Sequence, residues 1–453
     1  RAAGWTPLGK TKGFTRTRQS RDFYVPNDRP KSLWVKPLRK DAVALMGGTE
    51  LPRECAKGAD SDAWGVLPLQ DAACESLHEA LCRVPDPRKP NASFHIGSLL
   101  SILAMGVMSG HRDLAGIVRM GQRLTQRQRV MLGLPRYGKR AARAGGVPSN
   151  YRKTPSVSAM RNLLMQLDAD ALARVLGEWL RANEGRLPRQ LAMDGKFIGD
   201  VVGVVSITDV ETGVPVAMGV ASEKKGEGER CEQRVAQRLV RSLELTGALV
   251  SSDALHCQNE TNRGIVEAGG EALVQVKGNQ PSALASAKAI AASRPPLFSL
   301  HTHTEKQNGR TTTRKTRVFE LTEPVEAGLA HMQTLIVTER HAIDNKTGKE
   351  TRETAYHYCS MPAQSRTAEQ WARHVRDHWS IESRNHGRRD NWLLEDKTRS
   401  KSPRIVAALC ILRSVVLYFN AQTETGNVNA FVESCQYSGR LALGLITRRR
   451  IAK

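Results

Sequence analysis

Residues 189–222 read RQLAMDGKFIGDVVGVVSITDVETGVPVAMGVAS. Up to Leu180 the apolar residues recur every three or four positions, the helical period. From Arg189 that period stops. RQLAMD, VVGVVSITDV and VPVAMGVAS are three runs rich in aliphatic and β-branched residues, with ETG as a turn between the second and third. The stretch therefore predicts an antiparallel meander of three strands.

Downstream, Cys231–Leu245 has helical spacing and GALVSSD (Gly247–Asp253) reads as a buried strand. A helix over Asn262–Ala268, a GG break and the strand ALVQVKGN (Ala272–Asn279) complete a β-α-β unit, which requires a parallel pair. Three antiparallel strands followed by alternating strands and helices is the order of a ribonuclease H-like domain. After a Pro/Ala-rich helix, VFELTEP, TLIVTERHAI and TAYHYCSMP read as strands, with DNKTGKE as a hairpin turn. Trp371–Leu394 then reads as one helix with Trp371, Val375 and Trp379 on its apolar face, and Arg404–Asn420 as another.

Upstream, Phe94–Leu180 is helical throughout. TPSVSAM (Thr154–Met160) supplies Ser/Thr caps ahead of MRNLLMQL. The expected organisation is an α/β chain. Residues 1–84 form a basic arm and short helical lead-in, 85–185 an all-α DNA-binding domain, and 186–280 with 366–425 a ribonuclease H-like catalytic domain. Residues 281–365 form a β-rich insert within it, and 426–453 a basic C-terminal tail.

Charge points to the partner. Lys and Arg number 68 against 45 Asp and Glu, a net charge of +23, and such an excess calls for a polyanion. Leu114–Leu167 holds no acidic residue and eleven basic ones, among them Arg119, Arg123, Arg127, Arg129, Lys139 and Arg140. These six are the expected DNA contacts of the helical domain. A solvated basic face is the alternative. The apolar stretches Leu99–Met108 and Leu409–Phe419 fall short of the roughly 20 residues of a membrane span, so no membrane is expected. The eight cysteines form no CxxC pair, which fits a reducing cytoplasm.

Three carboxylates stand where a ribonuclease H-like enzyme needs them: Asp194 in the first strand, Asp253 closing GALVSSD, and Glu382 on the late helix. Phosphodiester chemistry needs hard oxygen ligands for Mg²⁺, and two such ions can serve the attacking and leaving oxygens. Spacing alone is weak support among 45 carboxylates. On a straight helix His378, Glu382, His386 and Arg389 share one face, a carboxylate among groups able to touch phosphate. A zinc site is disfavoured, because HEXXH is absent and three ligands on one straight helix cannot all reach one ion.

DGK (Asp194–Lys196), SDALHCQ (Ser252–Gln258), VKGNQ (Val276–Gln280) and HWSIESRNHGRRD (His378–Asp390), with Glu395 and Asp396, resemble in this order the H-repeat-associated transposases of bacterial insertion sequences, within the DDE transposase superfamily. PDPRKP, SLLSILAMGVMSG and LGLP with PSVSAMRNLLMQLD resemble that family's N-terminal associated domain. GRTTTRKTRVFEL and TAYHYCSMP resemble its insert. The resemblance runs from about Pro85 to Asn420. It implies a metal-binding triad of Asp194, Asp253 and Glu382 with two Mg²⁺ or Mn²⁺ ions. It also implies double-stranded DNA as partner, at element ends and target, and a homo-oligomer assembled on DNA.

Lys196, Lys277 and Arg389 are the expected phosphate contacts of the catalytic domain. His256, Asn279, His378, His386 and Asp390 are expected to orient the carboxylates, and Glu395 to matter less than Asp390. The chain departs from the family where LHW becomes NHG (Asn385–Gly387) and where an Asn-Glu pair becomes KKGEGERCE (Lys224–Glu232). The function expected is an active, cytoplasmic transposase. The alternatives are a nuclease without strand transfer and a DNA-binding derivative without catalysis.

Overall fold

The computed structural model describes residues 75–449 apart from 147, 149, 185–186, 223–227, 308, 324–326 and 424–425. The basic arm, Asp71–Cys74 and the residues from 450 onward lie outside the described residues. Three strands, β1 (Gln190–Ile198), β2 (Val202–Asp209) and β3 (Pro215–Ser222), form the antiparallel meander. β4 (Leu249–Ser252) lies parallel to β1, and β5 (Glu271–Val276) parallel to β4. The order β3-β2-β1-β4-β5 is the ribonuclease H-like arrangement expected.

The insert extends this same sheet. β9 (Glu350–Cys359) pairs antiparallel with β5, and β8 (Thr334–Asp344), β7 (Arg310–Glu320) and β6 (Phe298–Gln307) follow outward to make nine strands. β6 and the first half of β7 escape a search for apolar runs. FSLHTHTEKQ and RTTTRKT carry few aliphatic residues, and backbone pairing to β8 makes them strands.

Alternation along β1 assigns its faces. Leu191 and Met193 enter a core with Val205, Ile207 and Val250. Ala192 packs on the other side against Val210 and Ile381. Asp194, two residues beyond Ala192, shares that second face.

Among the described residues seven helices precede the sheet: α1 (Leu77–Cys82), α2 (Ile96–Met108), α3 (Leu114–Gln122), α4 (Gln126–Met131), α5 (Lys139–Ala144), α6 (Val157–Gln166) and α7 (Ala169–Glu184). α6 starts as expected, with Ser156 Oγ accepting from the Ala159 N–H at 3.1 Å. After β3 come α8 (Gly228–Arg241) and α9 (Asn259–Glu267), which flank β4, and α10 (Pro281–Ser293) follows β5. Beyond β9 lie α11 (Ala368–Asp377), α12 (Gly387–Asn391) and α13 (Pro403–Ala421).

α13 is apolar and long enough to cross a membrane by composition, but 89% of that window is buried in the protein. It shares one core with α2, α6 and α7. The segment expected to be a basic tail joins the same core as α14 (Val428–Tyr437) and α15 (Gly439–Thr447). Val428, Phe431, Val432 and Cys435 fall at helical spacing and are buried.

The single helix expected over Trp371–Leu394 is interrupted. α11 ends at Asp377, Ile381–His386 forms a wider π turn, and α12 follows. Gly387 N–H donates to the Glu382 carbonyl, five residues back, which is the mark of such a turn. Trp371 and Val375 are buried as expected, but Trp379 is 69% exposed and belongs to no apolar face.

A buried ionic knot ties α12 to α13. Glu395 is fully buried and receives Arg389 at 3.4 Å and Arg413 at 3.3 Å. Burial alone would raise its pKa, but Arg389, Arg413 and Lys196 hold it below the usual carboxylate range. Burial gives Glu395 more weight than Asp390 in stability, a property separate from their expected order in activity. Removing one member of a buried pair strands the other charge. Glu395→Gln should lower the unfolding free energy by about 3–5 kcal/mol in urea denaturation. Asp390→Asn, at a half-buried position whose partner Lys196 keeps Asp396 and Glu395 nearby, should cost about 1 kcal/mol or less. Equal losses would contradict the knot.

Candidate active site

The sheet, the π turn and the β4–α9 turn meet at one point. Asp194, Glu382 and His386 each offer one ligand atom, all within 4.8 Å of one another. His386 Nδ1 lies 3.5 Å from Glu382 Oε2 and 3.8 Å from Asp194 Oδ2. His386 is buried, Asp194 nearly so, and the Glu382 side chain is 64% exposed. One face is thus fixed and the other open to a substrate.

The π turn is held in place by the β2–β3 turn. Arg384 donates to the carbonyls of Val210 and Glu211 at 2.7 Å, Asn385 to Gly213 at 2.8 Å, and Arg388 to Thr212 at 3.0 Å. Gly213 has φ of +75°, and a Cβ there would come within 2.4 Å of the Arg384 carbonyl. Only glycine lets this hairpin seat the segment that carries Glu382.

Asp253 follows Ser252, which pairs with Met193, so it stands just past the end of β4, beside Asp194 midway along the parallel strand β1. Its Oδ1 accepts from the N–H groups of Leu255 at 3.0 Å and His256 at 3.3 Å. Side-chain amides take the carbonyls of this turn. Gln233 takes Leu255 at 2.9 Å, Asn279 takes Ala254 at 2.5 Å, and Gln280 takes Cys257 at 2.7 Å. His378 Nδ1 lies 3.2 Å from Ser251 Oγ on β4. Burial depresses the His378 pKa, while Asp253 and Glu382 partly offset this.

Burial pushes the Asp194 pKa up to about 6, with His386 opposing the rise and Asp253 and Glu382 adding to it. Glu382 goes the other way: its hydrogen bond with His386 holds its carboxyl below the usual range. Carboxylates crowded in this way repel, and a divalent cation would relieve them. The carboxylate oxygens of this donor set suit Mg²⁺ and Mn²⁺, while the His386 nitrogen is a donor more typical of transition metals.

The basic residues fare differently. Arg119, Arg123, Arg127 and Lys139 are exposed and Lys277 stands exposed at the end of β5. Arg129 is half-buried and donates to the carbonyls of Arg152 and Gln122. The Arg140 side chain lies outside the described residues. Two expected phosphate contacts have other partners in the structure. Arg389 is buried, donating to the Cys410 carbonyl at 3.0 Å and Ser414 Oγ at 2.9 Å besides its pair with Glu395. Lys196 pairs with Asp390, with Asp396 at 3.4 Å and with Glu395 at 3.7 Å. Both were assigned from a straight helix and an isolated DGK motif, neither of which reveals the acids that claim them.

Glu232 stands in the sequence only as the last residue of the departing segment KKGEGERCE, with no site role expected of it. Its Oε1 lies 3.2 Å from Nε2 of the buried His256, and its carboxylate fills the space above Gly195. The amphipathic helix α8 places it there, and the motif search did not weigh that helix for site residues.

Among known proteins, a family model described as DDE_Tnp_1-associated matches residues 78–180, and one described as Transposase DDE domain matches residues 194–419. The chain is 26% identical over 209 residues to an uncharacterized protein in the dhlA 3′ region of Xanthobacter autotrophicus, covering 44% of this chain and 64% of that one. It is 26% identical over 184 residues to the putative protein YbfL of Escherichia coli (strain K12), covering 39% of this chain and 48% of that one. The match thus spans less than two thirds of either relative. A solved piggyBac transposase synaptic complex with hairpin DNA aligns at 8% identity and a TM-score of 0.38, over 77% of this chain and 70% of that one.

Asp194 makes the site pH-dependent in two ways. Its folded pKa is raised, so metal-free stability is fullest below about pH 4, the unfolded carboxylate value, and declines as pH rises through about 6. Asp194→Asn should remove that decline in denaturation curves taken from pH 4 to 7. Protons compete with a cation for Asp194, so Mn²⁺ affinity measured by calorimetry should fall below about pH 6. Affinity independent of pH across that range would remove Asp194 from the ligand set.

Proposed function

The chain belongs to the DDE transposase family, of the H-repeat-associated type, and from that premise we propose that it cleaves the ends of a bacterial insertion sequence and joins the freed 3′-OH to target DNA. The observation that carries this reading is the meeting of Asp194 and Glu382 with His386, beside Asp253, under an open face. Two divalent cations, Mg²⁺ or Mn²⁺, supply charge neutralisation at phosphate and acidity for the attacking water when bound. Asp194, Asp253 and Glu382 hold them, with His386 as a nitrogen donor. Asp253 keeps Oδ2 for this role, since Oδ1 is taken by its own turn. His378 holds β4 against the catalytic segment through Ser251.

Double-stranded DNA is the partner, in the bacterial cytoplasm and at the nucleoid when bound, with a homo-oligomer assembled on it. Arg119, Arg123, Arg127, Lys139 and Lys277 contact its phosphates, all at exposed positions. The domain limits expected from sequence serve as proposals for dissecting the chain, with the C-terminal helices kept on the α2 side.

Asp194→Asn, Asp253→Asn and Glu382→Gln should each reduce strand cleavage in Mg²⁺ by more than about 100-fold, beyond what changes outside the ligand set cost, while DNA affinity persists. Ser383→Ala, on the same turn, serves as the control. A Glu382→Gln variant as active as that control would remove Glu382 from the site. Neutralising Arg119, Arg123 and Arg127 together should reduce the log–log salt slope of binding by up to about 3. An unchanged slope would place the DNA elsewhere.

A further inference from the structure

β1 presents Asp194 on one face of the sheet and Gly195 on the other. α8 packs against that second face through Val235, Ala236 and Leu239. From α8 the Glu232 carboxylate enters the space that a side chain at 195 would occupy. A Cβ built on Gly195 would come within 2.2 Å of both Cδ and Oε1 of Glu232. No side chain can stand at 195 unless Glu232 moves.

The carboxylate ends at His256, with Oε1 3.2 Å from Nε2. His256 is wholly buried, and neither ring nitrogen makes an aligned hydrogen bond among the described residues. Glu232 is thus a carboxylate brought within 3.2 Å of a buried imidazole that has no aligned hydrogen bond among the described residues and would carry a desolvation cost alone. The backbone N–H of His256, with that of Leu255, holds Oδ1 of Asp253. Next to Glu232 on α8, Gln233 takes the Leu255 carbonyl. One turn of α8 thus grips the Asp253 turn at two successive residues.

We propose that Glu232 is a positioning residue: reaching across the gap left by Gly195, it fixes His256 and so presents Asp253 Oδ2 to a divalent cation. The glycine of DGK is then required for what passes beneath it, independently of the strand's own conformation. The inference rests on the proposed reading that Asp253 is a cation ligand.

The test is Mn²⁺ titration of the full chain by calorimetry. Wild type should bind, and Asp253→Asn should weaken binding. Glu232→Gln and Gly195→Ala should each weaken it by about 10-fold or more, the usual cost of losing a group that orients a ligand. The double variant Glu232→Gln/His256→Asn should bind no more weakly than the worse single variant, because both act through one link. If wild type does not bind, or Asp253→Asn binds like wild type, the cation reading fails and this proposal with it. If those two behave as expected and Glu232→Gln binds like wild type, or the double variant is additive, the positioning role alone is overturned. Should Glu232→Gln not fold, Glu232→Asp, one methylene short with its charge kept, takes the same titration. Weakened binding is expected, and wild-type affinity overturns the role.

Discussion

Asp194 is held where its own charge resists being. It is nearly buried, flanked by Asp253 and Glu382, and its pKa is driven up to about 6. Backbone pairing of β1 with β4 fixes the first two carboxylates on adjacent strands. The grip of Arg384, Asn385 and Arg388 on the β2–β3 turn brings in the segment bearing Glu382. The fold holds this like-charge cluster together by contacts made away from it. Burial of Asp194, and the like charges of Asp253 and Glu382 beside it, are what a divalent cation would offset.

That constraint explains the irregular features around the site. The π turn at Ile381–His386 places Glu382 and His386 on Asp194 while its backbone locks onto the hairpin. The buried knot of Glu395 with Arg389 and Arg413 fastens α12 to α13, the central helix of the larger core. Lys196 joins Asp390 and Asp396 to β1 one residue beyond Gly195. Each device ties a ligand-bearing segment to the rigid interior, so the carboxylates stay close although they repel one another, with His386 between Asp194 and Glu382.

Much of this is legible in the sequence, for a physical reason. Strand runs such as VVGVVSITDV declare themselves through aliphatic content, and the resemblance in DGK, SDALHCQ and HWSIES locates the carboxylates. What escapes depends on partners distant in sequence. Arg389 reads as a phosphate contact until Glu395, Cys410 and Ser414 are seen around it. Trp379 reads as core until the π turn shifts the helix face. β6 goes unassigned because its pairing with β7, rather than its composition, makes it a strand. The C-terminal helices are hidden by the flanking basic residues that suggest a tail, though Val428, Phe431 and Val432 carry the helical period.

The most direct measurement is anomalous diffraction from crystals of the chain soaked in Mn²⁺. An ion coordinated by Asp194 and Glu382 at about 2.1 Å, with Asp253 Oδ2 turned to the same or an adjoining ion, is the predicted result. An ion bound instead at Asp390 and Asp396, or fully occupied ion sites elsewhere with none at Asp194, would contradict the account.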